Sequence, residues 1–266
     1  MKIEHEQGFL IHAVNNSDTD YVHCARVLAK SLRFWHPDAK ICLMTDQILI
    51  DHEFDYVRIL PKGDVSKSDW KLANDWQCFF ASPFRETIKI EADCLIASPI
   101  DHWWEHFRHK EICLTVGCYD YHGNRSTNRR YRNFIDNNSL LDVYNGLTYW
   151  RLSKLAKDFF LRVGDIFSDW ENYIRHFKQS LDQEPNTDFA YAIAASFFDQ
   201  ELLWIPNSPS KFVHMKPAIV GTGKEWHKDL TWEIDRGSVR INGMTQHGVV
   251  HYHEKQLAKE FAKYYE

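Results

Sequence analysis

The strongest constraint on the fold of this chain is the way short apolar segments alternate with amphipathic ones. Residues 8–15 (GFLIHAVN) form an apolar run typical of a buried strand. Residues 21–34 repeat apolar side chains at helical spacing, and Asp20 stands where it can cap that helix. Further strand-like and helix-like segments follow in turn. This alternation predicts an α/β fold with a mostly parallel central sheet, helices on both faces, and ligands bound beyond the carboxyl ends of the strands.

Composition excludes several classes of protein. The 266 residues, 44% of them hydrophobic, can bury a full core, and we predict one domain over residues 1–266. Apolar runs are shorter than the ~20 residues that span a bilayer, and residues 1–7 are polar where a secretory signal turns apolar, so we expect a soluble, cytoplasmic protein. The six cysteines form no CxxC pair, which predicts buried thiols. The formal net charge of −5 excludes a protein that coats nucleic acid with a basic surface.

Two common nucleotide-binding motifs are missing from the sequence. The glycines form no GxGxxG pattern after the first strand. The one Gly-Lys pair, Gly223-Lys224, lacks the upstream glycine and the following Ser or Thr of a P-loop. Neither a dinucleotide-binding fold nor a P-loop protein is therefore indicated.

The most informative motif is Glu91-Ala92-Asp93, near the end of an apolar strand predicted over residues 86–96 (ETIKIEADCLI). Side chains alternate along a strand, so residues 91 and 93 are expected on the same side with their carboxylates converging. A divalent cation relieves the repulsion between two such groups, and hard cations combine carboxylates with the phosphate oxygens of a substrate. The motif predicts a Mn²⁺ or Mg²⁺ site. The alternative is an acidic strand end without a metal.

The order of the motifs resembles that of GT-A glycosyltransferases, particularly the retaining family-8-like enzymes. The acidic pair is followed by Pro99-Ile100-Asp101, a later strand carries Asn145-Gly146, and Asp188 begins a downstream helix. The resemblance covers about residues 8–255. It implies a metal-dependent glycosyltransferase that moves a sugar from a nucleotide-sugar donor, in the first place a UDP-sugar, to an acceptor hydroxyl.

The resemblance also implies a metal-ligand set. Asp93 is the expected ligand, and the longer Glu91, where the family has Asp, is expected to reach the metal, the ribose or a water. The family's third ligand is a histidine on a late strand, which His251 in the segment VVHYHEK matches, although the family's glycine is missing. His214 lies in a similar segment and is the alternative. The part of the chain from about residue 200 to 266 is thus predicted to complete the donor and metal site.

Donor recognition is expected at the end of the first strand, where small or apolar residues let a base lie against the backbone and a tyrosine can stack on it. Lysines are expected to neutralise the diphosphate. The donor-binding residues predicted in this way are Ala13, Val14, Tyr21, Lys71, Glu91, Asn145, Gly146 and Lys255.

The catalytic residues predicted are Asp93 and Asp188. In the retaining enzymes that the chain resembles, the acceptor hydroxyl attacks from the side of the leaving group, and Asp188 would then position the substrate. A general-base role for Asp188 suits an inverting reaction instead. Both interpretations fit the sequence.

Residues 123–133 (GNRSTNRRYRN) contain four arginines and one tyrosine and no acid. Guanidinium groups and a stackable ring suit a phosphodiester backbone, so we hypothesise a nucleic-acid acceptor such as a hydroxymethylated base flipped out of DNA. The alternatives are a solvated loop in an enzyme that acts on a glycan, protein or lipid-linked sugar, and a non-catalytic nucleotide-sugar-binding module. The predicted acceptor contacts are Arg125, Arg129, Arg130, Tyr131 and Arg132.

Overall fold

The computed structural model describes residues 3–60, 71–126, 132–178, 185–216 and 229–265, without the side chain of Lys71. The strands in these ranges are β1 (His5–His12), β2 (Ile41–Thr45), β3 (Tyr56–Ile59), β4 (Phe84–Glu91), β5 (Cys94–Ile96), β6 (Ile112–Val116), β7 (Val143–Arg151), β8 (Phe212–His214), β9 (Trp232–Asp235), β10 (Ser238–Ile241), β11 (Met244–Thr245) and β12 (Val249–His251). The α-helices are α1 (Tyr21–Trp35), α2 (Cys78–Ala81), α3 (His102–Phe107), α4 (Asn133–Asn137), α5 (Lys154–Ser168), α6 (Trp170–Ile174), α7 (Thr187–Ala195) and α8 (Leu257–Phe261). Short 3₁₀ segments cover Lys71–Gln77, Gln200–Leu202 and Ala262–Tyr264.

The central sheet has six strands in the order β3-β2-β1-β4-β7-β6. Its first four strands pair in parallel, and β7 runs antiparallel to both of its neighbours. Alternation along β1 sends Phe9 and Ile11 into the core under α1, and Leu10 into the core under α5 and α7. The predicted α/β fold with a mostly parallel sheet and helices on both faces is confirmed.

Helix α1 begins where the sequence predicts. The Asp20 side chain accepts a hydrogen bond from the backbone N–H of His23, which satisfies one of the free donors at the helix start. Near its other end, the helix covers the edge of β5. The Ser31 hydroxyl accepts from the Ile96 N–H, and the Trp35 indole donates to the Ile96 carbonyl. Strand β5 is thereby held under α1, outside the central sheet.

The single strand predicted over residues 86–96 is in fact two strands. Strand β4 ends at Glu91, the chain turns at Ala92 and Asp93, and β5 begins at Cys94. The prediction of one strand was wrong because apolar content continues through the turn, which periodicity alone cannot detect. The two acids are therefore brought together by a change of chain direction and not by alternation within one strand.

A second sheet, in the order β5-β12-β8, joins this turn to the C-terminal part of the chain. Strand β12 pairs antiparallel with β5 and parallel with β8, and His251 lies opposite both Cys94 and His214. This register brings a residue from the end of the chain beside Asp93. A third sheet, β11-β10-β9, packs near α1 and α8.

All six cysteines are free and buried, as the sequence predicts. Burial raises the pKa of the Cys24, Cys42, Cys113 and Cys118 thiols to about 12, so they are neutral at physiological pH. Within the described ranges, the helices are too short or too polar to cross a membrane.

Gly248 sets the entry into β12, and replacing it tests that role. Its φ is +73°, its N–H donates to Ser98 Oγ, and an added Cβ would lie 2.5 Å from the backbone oxygen of Lys211. We expect Gly248→Ala to lower the free energy of unfolding by about 1–3 kcal/mol more than Gly243→Ala. Gly243 also has positive φ (+77°) but has open space around it, so it controls for backbone strain. Urea unfolding measures both variants, and equal losses would contradict the proposed steric role.

Candidate active site

A cavity of about 360 Å³ opens beyond the carboxyl ends of β1 and β4. Its walls come from the β4–β5 turn, the first residues of β7, the start of α7, and the ends of β8 and β12. This is the edge at which a parallel sheet offers its ligand site, because the strand ends and the following turns converge there.

Glu91, Asp93 and His251 form a group on one wall of the cavity, with a potential metal-ligating atom from each within 4.8 Å of the others. His251 Nε2 is 3.0 Å from Asp93 Oδ2, and His251 Nδ1 is 3.6 Å from Glu91 Oε2. Two carboxylates and one imidazole are a donor set that suits Mn²⁺ and related divalent ions. These residues fit the divalent cation that the resemblance implies.

Asp93 lies between His251 and Lys255. Lys255 Nζ lies 2.9 Å from Asp93 Oδ2, the same oxygen that faces His251. Burial by itself raises the pKa of the Asp93 carboxyl, but His251 and Lys255 outweigh burial and hold that pKa well below its usual range. Burial raises the pKa of Glu91, and the Asp93 carboxylate contributes to the rise. Glu91 is thus the acid of this pair that ionises less readily.

The structure distinguishes between the two histidines that the sequence left as alternatives. His214 lies beside His251, with ring centroids 4.6 Å apart, but it is outside the group formed with the two acids. Burial and the nearby Lys216 keep the pKa of His214 well below its usual range, so its imidazole is neutral. Of the two histidines, His251 is the one that lies within reach of both acids.

A second group that could hold a metal consists of His12, Asp75 and Cys78. Its charge is already balanced, because Lys89 Nζ lies 2.6 Å from Asp75 Oδ2 and both side chains are almost fully buried. Burial also raises the pKa of the Cys78 thiol well above its usual value, which opposes the thiolate that a metal needs. Lys89 therefore supplies the positive charge that a metal ion would otherwise bring to Asp75.

Asp75 is a hub of hydrogen bonds beneath the cavity. Besides Lys89, its Oδ2 accepts from the Tyr191 hydroxyl at 2.6 Å and from Asn145 Nδ2 at 2.9 Å. Its Oδ1 is 3.0 Å from His12 Nδ1. The hub ties together β1, β4, β7 and α7, the elements whose ends form the cavity.

Asp188 is held from two sides at the start of α7. Its Oδ1 accepts from the backbone N–H of Asn145 at 2.8 Å, and its Oδ2 accepts from Arg132 at 2.9 Å. Arg132 also pairs with Asp142 at 2.7 Å and donates to the Val143 carbonyl. Both oxygens of Asp188 are engaged, so its carboxylate is fixed in place at the cavity wall.

Most of the predicted donor and metal residues meet at the cavity. Asn145 lies in its floor, where its side chain bonds to Asp75 and Thr148 and does not project freely. Ala13 and Val14 belong to the buried core and are not part of the cavity lining, and Lys71 has no described side chain although Leu72 beside it lines the cavity. The predicted residues that line the cavity are Tyr21, Glu91, Asp93, Asn145, Gly146, Asp188, His251 and Lys255.

The predicted acceptor residues do not form one surface. Arg129, Arg130 and Tyr131 lie outside the described residues. Arg125 is exposed, with its guanidinium against Gly117. Arg132 departs from the prediction: it is fully buried, because Asp142 and Asp188 draw its guanidinium inward. It is an internal ion-pair partner and not an outward contact for DNA.

Sequence reasoning missed His12, which lines the cavity, and three residues beneath it, Asp75, Lys89 and Tyr191. Lys89 did carry a signal, because a lysine between two isoleucines in an apolar strand must be buried and must find an acid. Its partner is 14 residues away in a 3₁₀ segment, and sequence alone does not indicate that pairing.

The chain has the GT-A fold. It matches the structure of the galactosyltransferase LgtC in complex with donor and acceptor sugar analogs, with a TM-score of 0.56 and 13% identity over 97% of this chain and 95% of LgtC. An active-site mutant of LgtC gives a TM-score of 0.58 and 13% identity over 96% and 95% of the two chains. No family model and no curated protein matches the sequence. The resemblance found in the sequence is confirmed at the level of the fold, and the activity must be argued from the site.

The buried position of Arg132 predicts its effect on stability. Arg132→Met would leave Asp142 and Asp188 without their guanidinium, so we expect a loss of roughly 3 kcal/mol or more in the free energy of unfolding. Arg125→Met, which removes an exposed guanidinium, is expected to change it by less than about 1 kcal/mol. Chemical denaturation of both variants checks this difference. A mild effect at Arg132 would contradict the internal role.

Proposed function

We propose that this protein is a metal-dependent glycosyltransferase that moves a sugar from a nucleotide-sugar donor to an acceptor hydroxyl. The observation that supports this most is the meeting of Glu91, Asp93, His251 and Lys255 at one wall of a cavity in a GT-A fold. Three of these residues offer ligands to a divalent cation, and the fourth offers a positive charge to phosphate. That combination suits a nucleoside diphosphate as leaving group.

The chemistry of sugar transfer needs positive charge where the diphosphate departs. A divalent cation held by Glu91, Asp93 and His251 would act as a Lewis acid on the diphosphate oxygens. Lys255 adds a fixed ammonium beside the same carboxylate, 2.9 Å from Asp93 Oδ2. The attraction between the Lys255 ammonium and the diphosphate grows as negative charge develops on the leaving group. Lys255 would therefore stabilise the transition state more than the bound donor.

Tyr21 is proposed to hold the donor's base. Its ring lines the cavity, and Lys255 Nζ is 6.0 Å from the ring centroid. A base stacked on Tyr21 would place its diphosphate within reach of Lys255 and of the acidic pair. The proposed donor thus extends from α1 to the β4–β5 turn.

Asp188 is proposed to position substrate and not to serve as a general base. Its two oxygens are engaged by Arg132 and by the backbone of Asn145, which fixes the carboxylate at the cavity wall. A reaction without a dedicated protein base is the retaining route, in which the acceptor attacks from the side of the departing diphosphate. The arrangement of Asp188 favours that route over inversion.

Replacing Asp93 tests the proposal. With Mn²⁺ or Mg²⁺ and a panel of nucleotide sugars, we expect the wild type to hydrolyse at least one donor, releasing free nucleoside diphosphate. Asp93→Asn should lower this rate by about 100-fold or more, because metal stabilisation of the leaving group is worth several kcal/mol. Calorimetric titration with Mn²⁺ should show weakened binding to the same variant.

The matched control is Asp158→Asn, on the exposed surface of α5, which should keep wild-type turnover and Mn²⁺ affinity. Chelation by EDTA should abolish hydrolysis by the wild type. Metal-dependent donor binding without any release of nucleoside diphosphate would identify a non-catalytic nucleotide-sugar-binding module instead. Unchanged turnover by Asp93→Asn would refute the proposed site.

A hydroxymethylated base in DNA is the acceptor proposed from the arginine-rich segment. With Arg132 internal, this proposal depends on Arg125 and on Arg129, Arg130 and Tyr131, which the structure does not describe. Because the net charge of −5 repels DNA overall, the phosphates would have to be bound by a small basic patch such as this segment. An acceptor on a glycan, protein or lipid-linked sugar remains the alternative within the same enzyme class.

The salt dependence of DNA binding distinguishes a DNA acceptor from a glycan, protein or lipid-linked acceptor. If the segment holds phosphates, binding of duplex DNA should weaken linearly in log–log plots against salt, and Arg125→Met should reduce the slope by about 1. Fluorescence anisotropy with DNA carrying hydroxymethylated bases measures both quantities. Absent or salt-insensitive binding would end the DNA hypothesis and leave a sugar-bearing acceptor.

A further inference from the structure

His12, the last residue of β1, forms a buried pair with Asp75. Its Nδ1 lies 3.0 Å from Asp75 Oδ1, and each side chain is only 2% exposed. Burial by itself raises the pKa of Asp75, but Lys89 and His12 outweigh it and keep the carboxyl ionised. An ionised carboxylate can only accept hydrogen bonds, so Nδ1 of His12 carries the hydrogen. The pair therefore fixes both the orientation and the tautomer of the ring.

The other ring nitrogen of His12 is left without a partner. His12 lines the cavity, and its Nε2 is buried with no hydrogen-bond partner in the described part of the chain. Because Nδ1 donates to Asp75, Nε2 is the ring nitrogen left to bond to a ligand. A buried polar atom is normally satisfied, so an unpartnered nitrogen on a residue that lines a cavity indicates a partner supplied by a ligand.

A second histidine–aspartate pair in the same protein gives a direct comparison. His36 Nδ1 is 2.9 Å from Asp101 Oδ1, and its other nitrogen, Nε2, accepts from the Ile100 N–H at 3.2 Å. His36 is outside the cavity lining. Both nitrogens of the structural pair are thus used within the protein, whereas the pair at the cavity keeps one nitrogen unused.

We propose that His12 Nε2 forms a hydrogen bond with a hydroxyl of the nucleotide-sugar donor, with Asp75 as the positioning residue that orients the ring. The inference rests on the proposed function, since it assigns a contact within that donor site. A hydroxyl is the group that fits, because it can donate to the ring nitrogen or accept from it, whereas a phosphate would bring further negative charge to a nitrogen beside the acidic pair. His12 lies opposite Glu91 in the β1–β4 register, which places it beside the acidic pair. The hydroxyl belongs either to the ribose or to the transferred sugar.

The test measures ligand binding by calorimetric titration in the presence of Mn²⁺. It compares the wild type with two variants, His12→Asn and His36→Phe. The probes are the donor that binds the wild type best in a panel including UDP-galactose, and its free nucleoside diphosphate. The amide of His12→Asn can still donate to Asp75 but does not reach as far as Nε2, so it removes the cavity contact with little loss of folding. We expect about tenfold weaker donor binding for His12→Asn and unchanged binding for His36→Phe, although the latter loses thermal stability.

The two sources of the hydroxyl give different results. A ribose contact weakens binding of the nucleoside diphosphate and of the full donor alike, whereas a sugar contact weakens binding of the full donor only. Wild-type affinity of His12→Asn for both probes would overturn the assignment of His12 and leave the proposed function standing. Failure of the wild type to bind any donor in the panel would overturn the proposed function and this inference with it.

Discussion

Carboxylates buried at one edge of the central sheet are the constraint on which this structure depends. An ionised acid taken out of water must be matched by positive charge and hydrogen bonds, or folding becomes unfavourable. Lys89 supplies that match for Asp75, and Arg132 supplies it for Asp188. With their hydrogen-bonded neighbours, these two pairs draw on six separate segments of the chain, so balancing the charge also joins the strand ends that form the cavity.

The same requirement for compensating positive charge applies to Glu91 and Asp93 at the cavity wall, where it is met only in part. Lys255 and His251 both face Asp93, which keeps that carboxyl ionised, while the pKa of Glu91 is raised by burial and by its acidic neighbour. Two carboxylates and an imidazole within 4.8 Å of one another form a donor set that favours an added cation. The difference from Asp75 is instructive, since there an internal lysine completes the balance and no ion is needed.

Much of the central fold could be predicted from the sequence, because its signals are local. The Asp20 cap, the apolar face of α1 and the apolar runs of β1 and β2 each depend on residues close in the chain. The break at Ala92 was missed, since an apolar run does not reveal a change of direction. Of the site, the acidic pair was predicted from its place near the end of an apolar strand, and His251 from the resemblance in motif order. Arg132 was assigned to a surface contact because an arginine-rich segment has the same composition whether its side chains turn outward or inward.

The sequence by itself determined the class of fold, the acidic pair and the late histidine, because periodicity, residue type and motif order are written along the chain. Only the tertiary structure decided which groups neutralise each other. Asp75 meets Lys89 across 14 residues and Tyr191 across 116. Such contacts depend on how strand ends and helix starts pack, and a buried charge takes the nearest partner in space, wherever that partner lies in the sequence.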